Sequence, residues 1–204
     1  MHDVRIDMDK LHPLLKYRLK RFLKACEKAE LGIIITEGYR TVEYQDRLYA
    51  KGRTEKGNIV TNAKGSDYSS QHQWGIAFDI AINDKKHTYD VELIKKAAKL
   101  AKKVGLSWGG DWKTFKDMPH FYLGKWGSGT SELKRQYITP DRFMSTWKAK
   151  VDYAGLRMFK NVSKTKVIMR IPINAEVKVL YKKLWYAKIE YKDEVGYVRK
   201  KYIR

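Results

Sequence analysis

Two histidines and two aspartates, split between two short segments, are the side chains of this 204-residue chain best suited to chemistry. The first segment reads SSQHQWGIAFDI and carries His72 and Asp79; the second reads WGGDWKTFKDMPHFYL and carries Asp117 and His120. If residues 76–80 are extended, successive side chains alternate between faces. Ile76, Phe78 and Ile80 then share an apolar face, and Asp79 points the other way with only the methyl of Ala77 beside it. Gly75 lets the backbone turn between His72 and that strand. The second segment follows the same logic, with Phe121 and Leu123 facing one way and His120 and Tyr122 the other. Taken singly, each of these residues is more often structural or solvated. Together, two imidazoles and a carboxylate make a catalytic zinc set, because zinc takes nitrogen and oxygen ligands and a catalytic site keeps its fourth position for water. Water bound there drops from a pKa of about 15.7 to roughly 7, and a nearby carboxylate must take and return its proton. Asp117 is the candidate for that task, since Pro119 makes DMPH a turn entering a strand rather than a helix interior.

The elements that must position these groups are legible in outline. Leu14, Leu15, Leu19, Phe22, Leu23 and Cys26 recur at helical spacing between Pro13 and Glu30, and Ile33 to Ile35 reads as a buried strand. Thr41 caps a second helix running to about Lys51, with Glu43 in its first turn. Residues 52–70, rich in Gly, Asn, Ser and Lys, read as loop. Phe78 to Ile82 reads as a strand, and Asp90 to Val104 as an amphipathic helix ending at Gly105. GKWGSGT, after Leu123, opens a poorly periodic stretch to about Lys150. From Tyr153 the pattern changes to short strand-like runs, VIMRI, AEVKVLY, WYAKIEY and VGYV, separated by polar turns.

Composition narrows the possible partners. Lys and Arg outnumber Asp and Glu by 43 to 23, a formal charge of +20, so the chain should seek polyanions. Residues 152–204 hold 14 Lys and Arg against 5 Asp and Glu, a net of +9, so both halves are basic. Nucleic acid and phosphate-bearing wall polymers present the same charge, and charge alone does not choose between them. The single cysteine, Cys26, excludes an internal disulfide and reads as a small buried hydrophobe. The N-terminal stretch MHDVRIDMDKLHPLLKYRLKRFLKA lacks the unbroken apolar run of a signal peptide, and no stretch approaches the roughly 20 apolar residues of a membrane span.

The spacing Ser70-x-His72-x-x-Gly75-x-Ala77-x-Asp79 matches the SxHxxGxAxD signature of the VanY-type zinc peptidases. GYRT followed by Gln45, GRT then IVTNAKG, and GGDWKTFKDMPHF extend the resemblance over roughly residues 30–123. Within that family the chain resembles the L-alanyl-D-glutamate peptidases of phage endolysins and Bacillus wall enzymes. The resemblance implies that His72, Asp79 and His120 hold Zn2+, that Asp117 is the catalytic base, and that Arg40 neutralises the carbonyl oxygen as it becomes an oxyanion. It further places Gln45, Ser70 and Tyr122 at the substrate. Relatives commonly read PHFEL where this chain has Tyr122, so an uncharged phenol replaces a carboxylate on the His120 side of the strand.

LRMF, AEVKVLY, WYAKIEY and VGYVRKKYI resemble the bacterial SH3-type domains attached to wall hydrolases, with Trp185, Tyr186 and Tyr191 either in the core of a small barrel or lining a wall-binding groove. The expected architecture is an α+β zinc peptidase domain, a small antiparallel sheet with helices, over residues 1–124. A linker over 125–151 and a small all-β SH3-like barrel over 152–204 follow. The implied activity is hydrolysis of an amide bond in the stem peptide of bacterial peptidoglycan, L-Ala–D-Glu above all. The alternatives are a D-Ala–D-Ala carboxypeptidase of the same family and a non-catalytic wall-binding protein with a vestigial metal site. Expected partners are peptidoglycan and anionic wall polymers, with no nucleic acid and the chain a monomer. The expected route is synthesis in a host cytoplasm without a signal peptide and action at the wall after release.

Overall fold

The structure is a computed structural model that describes residues 7–204; the opening of the MHDVRIDMDK stretch considered above lies outside the described residues. The chain divides into two compact units, one reaching to Pro140 and one from Asp141 to Arg204, with residues 12–14 grouped with the latter.

In the first unit, helix α1 (Pro13–Lys28) buries Leu15, Leu19, Phe22 and Cys26, spaced to fall on one face. Strand β1 (Ile33–Glu37) leads into α2 (Val42–Ala50), whose cap Thr41 accepts a hydrogen bond from the Tyr44 N–H at 3.1 Å. An irregular stretch and a buried single turn of 3-10 helix, Gln71–Trp74, then deliver the chain to β2 (Ala77–Ile82). Helix α3 (Val91–Lys103) is capped by Asp90 and buries Ile94, Ala97, Ala98 and Ala101. Strands β3 (Ser107–Trp108) and β4 (His120–Tyr122) complete an antiparallel sheet of order β1-β2-β4-β3. Its apolar face meets α1: the ring of Phe22 lies 5.9 Å from Phe78 and 5.5 Å from Phe121, and those two stack at 5.7 Å. This is the face expected from the Ile76, Phe78, Ile80 and Phe121, Leu123 alternation, and all five side chains are buried.

The stretch read as a linker is folded. It contains α4 (Ser131–Tyr137), α5 (Pro140–Ser145) and β5 (Lys148–Lys150), so the boundary falls at Pro140 rather than at 124 and 152. Helices of 7 and 6 residues are too short to display a stripe. Each fully buries one large residue, Leu133 or Phe143, and β5 buries only Ala149, so no periodicity reaches the sequence.

The second unit is built on β5 and five further strands: β6 (Leu156–Phe159), β7 (Val167–Ile171), β8 (Glu176–Lys182), β9 (Tyr186–Tyr191) and β10 (Glu194–Arg199). They form one antiparallel sheet of order β5-β8-β9-β10-β6-β7. Its core is Leu156, Met158, Ile171, Val177, Val179, Leu180, Ala187, Ile189 and Val198. Four of these strands lie on the runs anticipated from alternation, and β6 is the LRMF segment.

Candidate active site

Strand register builds the centre of the site. Antiparallel pairing places Asp79 of β2 directly opposite His120 of β4, and opposite Glu37 of β1 on its other side. Residues facing one another on neighbouring strands have Cβ atoms about 5 Å apart, so three ionisable side chains lie abreast on a rigid support. An irregularity in the β1–β2 pairing between Ile35 and Glu37 shifts the side-chain alternation at that point.

His72 comes from the single turn before β2. Gly75 ends that turn in the left-handed conformation, φ +63°, where a side chain would be strained, and the chain reverses there into the strand. His72 Nδ1 lies 2.7 Å from the Gly38 carbonyl oxygen, which only accepts, so Nδ1 carries the proton. Its Nε2 then turns a lone pair toward Asp79 Oδ1, 3.4 Å away. His120 mirrors this with the opposite nitrogen. Its Nε2 donates to Gln71 Oε1 at 2.8 Å, and Nδ1 faces the same Asp79 oxygen at 3.0 Å. The orientation of the Gln71 amide is itself fixed, because its Nε2 donates to the Gly127 carbonyl at 3.3 Å.

Two nitrogen lone pairs therefore converge on one carboxylate oxygen, an arrangement that calls for a cation among them. The donor atoms of His72, Asp79 and His120 lie within 4.8 Å of one another, and the three are the described residues that group in this way. The donor set of two neutral imidazoles and a carboxylate, each ring held by its second nitrogen, fits a metal ion. Burial opposes charge on Asp79, but when an imidazole takes up a proton and donates to it, His72 and His120 outweigh burial and hold the carboxyl well below the usual range. Burial likewise pushes the His72 imidazole down, against the pull of Asp79.

Arg40 follows β1. Its guanidinium lies 3.3 Å from Asp79 Oδ2 and 3.5 Å from Glu37 Oε2, and donates to Gln45 Oε1 at 3.2 Å. Both oxygens of Asp79 are thus engaged, one by the imidazoles and one by Arg40. Asp117 stands in the turn before β4, where its backbone packs so closely on Gly109 that a Cβ there would meet the Asp117 carbonyl oxygen at 2.6 Å. Burial raises the Asp117 carboxyl above its ordinary value.

These groups line a cleft of about 440 Å³ shared with Ser70, Gln71, Tyr89 and Trp112. Ser70 lies on it; it also begins the Gln71–Trp74 turn, and its N–H donates to Gln73 Oε1. Gln45 and Tyr122, also expected at the substrate, lie behind the wall of this cleft. Gln45 is fully buried, and holds Arg40 with one end and the Thr61 hydroxyl and Ala63 carbonyl with the other. It braces the site from behind, because the α2 turn that carries it faces the core. Tyr122 is also buried, with its hydroxyl accepting from Trp112 Nε1 at 3.0 Å; the indole, not the phenol, lines the cleft. Sequence reasoning missed Gln71, Trp112 and Glu37. The adjacency of Gln71 to His72 and the aromatic WGGDW run were the available signals, whereas Glu37 is tied to the site only by strand pairing.

In the second unit Trp185 is 79% exposed. Tyr186 is half-buried edge-on to Tyr197, and Tyr191 is half-buried with the Lys192 ammonium over its ring. Among the described residues no helix is long and apolar enough to cross a membrane.

The family model described as D-alanyl-D-alanine carboxypeptidase matches residues 64–123, the stretch that holds His72, Asp79, Asp117 and His120. The chain is similar to the peptidoglycan L-alanyl-D-glutamate endopeptidase CwlK of Bacillus subtilis (strain 168), at 39% identity over 134 residues, covering 60% of this chain and 78% of that one. It is similar at 26% identity over 162 residues to the L-alanyl-D-glutamate peptidase of Listeria phage A118, covering 78% of this chain and 54% of the relative. Among solved structures, the L-Ala D-Glu endopeptidase ChiX of Serratia marcescens matches with a TM-score of 0.44 and 22% identity, over 57% of this chain and 83% of that one.

Proposed function

The chain belongs to the VanY-type M15 family of peptidases, and from that premise we propose that it hydrolyses the L-Ala–D-Glu bond of the peptidoglycan stem peptide. The observation that carries the reading is the convergence of His72 Nε2 and His120 Nδ1 on Asp79 beside a carboxylate of raised pKa, Asp117. We assign Zn2+ to the His72, Asp79, His120 set; when bound, it would supply Lewis acidity toward a water molecule and the amide carbonyl. Asp117 accepts the proton that water gives up and returns it to the departing amine, a task helped by the burial that makes its carboxylate more basic. Arg40 holds the second oxygen of Asp79 and offers its remaining field to the developing oxyanion. Gln71 and the Gly38 carbonyl keep each imidazole in the tautomer that points a lone pair inward.

The second unit is read as an SH3-like module that holds the enzyme to the wall, with peptidoglycan and anionic wall polymers as its partners. A second reading of the reaction, release of a terminal D-Ala, is favoured by the description of the matching family model. Mass spectrometry of digested peptidoglycan separates the two: new N-terminal D-Glu is expected, and free D-Ala without it would assign the carboxypeptidase reaction instead.

A further inference from the structure

The second unit concentrates positive charge in two adjoining clefts. One, of about 390 Å³, is lined by Tyr153, Arg157, Lys164, Arg170, Arg199 and Tyr202. The other, of about 560 Å³, is lined by Lys164, Lys182, Trp185, Arg199, Lys200 and Lys201. Lys164 and Arg199 belong to both, so the clefts form one track. Among the described residues no Asp or Glu lines either of them. Among the described residues none of these seven cations has a carboxylate within ion-pair distance; the ion pair of this unit joins Arg204 to Asp152 at 3.3 Å, elsewhere.

The register sharpens the point. Arg157 of β6 and Arg170 of β7 are directly paired across the two strands, and both are exposed. Like charges directly opposite one another on neighbouring strands destabilise a sheet. The fold tolerates that cost at a place where a bound anion would remove it. Arginine suits this work, since its planar fork meets phosphate oxygens two at a time. At the far end of the track Leu184 and Trp185 are 78% and 79% exposed, an apolar shelf beside the cations. A ligand matched to the whole track is long, carries anionic groups at intervals, and has uncharged carbon between them.

Resting on the reading of this chain as a wall hydrolase, we propose that the track from Arg157 and Arg170 through Lys164 and Arg199 to Trp185 binds a phosphodiester-linked polymer of the bacterial cell wall. The phosphates would lie on the arginines and lysines, and the polyol or sugar carbons on the indole.

The test uses the full chain on purified sacculi, before and after chemical removal of their phosphate polymers. Binding should fall on the order of tenfold or more on stripped walls and weaken steeply with salt, as contacts to a polyanion do. The doubly substituted chain Arg157→Gln, Arg170→Gln should bind native walls as weakly as the parent binds stripped ones, with little further loss on stripping. The charge-keeping pair Arg157→Lys, Arg170→Lys should retain most of the binding. All variants should hydrolyse a soluble stem peptide at the parent rate. That arm separates the two readings, because a parent chain inactive on soluble peptide refutes the peptidase assignment and leaves the binding result standing. Equal binding to native and stripped walls, or no loss in the glutamine pair, would overturn the proposal. So would tighter binding to duplex DNA than to the isolated wall polymer, which would assign the track to nucleic acid.

Discussion

In the first unit the decisive charges are buried and mutually engaged, with Asp79 held between two imidazoles and Arg40. In the second, Arg157 and Arg170 face one another across neighbouring strands in the open, in a cleft that no carboxylate of the described residues lines. The two arrangements obey different electrostatics. A buried cluster acts over a few ångströms at low effective dielectric and is little affected by salt, whereas exposed cations act at longer range and are screened. The first suits bond breaking, which needs fixed geometry; the second suits localisation, which needs reach. The contrast can be broken or sharpened from either side.

The largest effects belong to the buried cluster. Chelation should abolish hydrolysis of both soluble peptide and wall, and added zinc should restore both, since three protein ligands leave the metal exchangeable. His72→Ala or His120→Ala should lose zinc and activity together, measured by metal analysis beside turnover. Full turnover in a demonstrably zinc-free preparation would remove the metal from the mechanism.

Asp117→Asn comes next. The amide is nearly isosteric but cannot take a proton, so zinc should stay at full stoichiometry while the rate falls on the order of a hundredfold or more. Loss of zinc in step with activity would instead make Asp117 a ligand.

A smaller loss is expected at Gln71, which never touches the bond being cut. Gln71→Ala should weaken zinc binding by about 10- to 100-fold, the usual cost of removing a group that orients a metal-ligating histidine. In the metal-free parent chain, nitrogen NMR should find His120 protonated on Nε2, and in the variant that preference should fade. A variant with parental zinc affinity and an unchanged tautomer would reduce Gln71 to a packing residue.

How much of this was legible in the sequence follows from the range of each interaction. His72, Gly75 and Asp79 are neighbours in the chain, and period-two alternation was enough to put Asp79 opposite the apolar face. The caps Thr41 and Asp90 and the buried stripes of α1 and α3 were equally local. Glu37 was not legible, because its place beside Asp79 depends on antiparallel register and on an irregularity in it. Gln71 stood in the motif as a spacer, and only the fold brings it to His120, 49 residues away. Gln45 and Tyr122 meet a related limit: sequence placed them near the site but could not say on which side of Arg40 and Trp112 they lie. The pairing of Arg157 with Arg170 is likewise a product of register, invisible in a composition that is basic throughout.

The smallest effect expected, and the most diagnostic, concerns separating the units. Residues 1–140 retain every side chain assigned to chemistry and the whole of α4, whose Leu133 is fully buried. A chain ending at Gly129 would discard that helix and expose the surface Leu133 covers, so the cut belongs after Pro140. The shortened protein should hydrolyse small soluble stem peptides within about twofold of the parent, because a tether contributes by raising local concentration and a soluble peptide offers nothing to tether to. On intact walls it should be slower. That gap should narrow as salt shortens the screening length from about 8 Å at physiological ionic strength to about 3 Å at 1 M, since the exposed cations lose their reach while the buried cluster does not. A gap that persists at high salt and closes with Trp185→Ala would place recognition in the indole shelf rather than in the charge. Equal loss on soluble peptide and on wall would dissolve the contrast between the units, because the second would then be needed to fold the first.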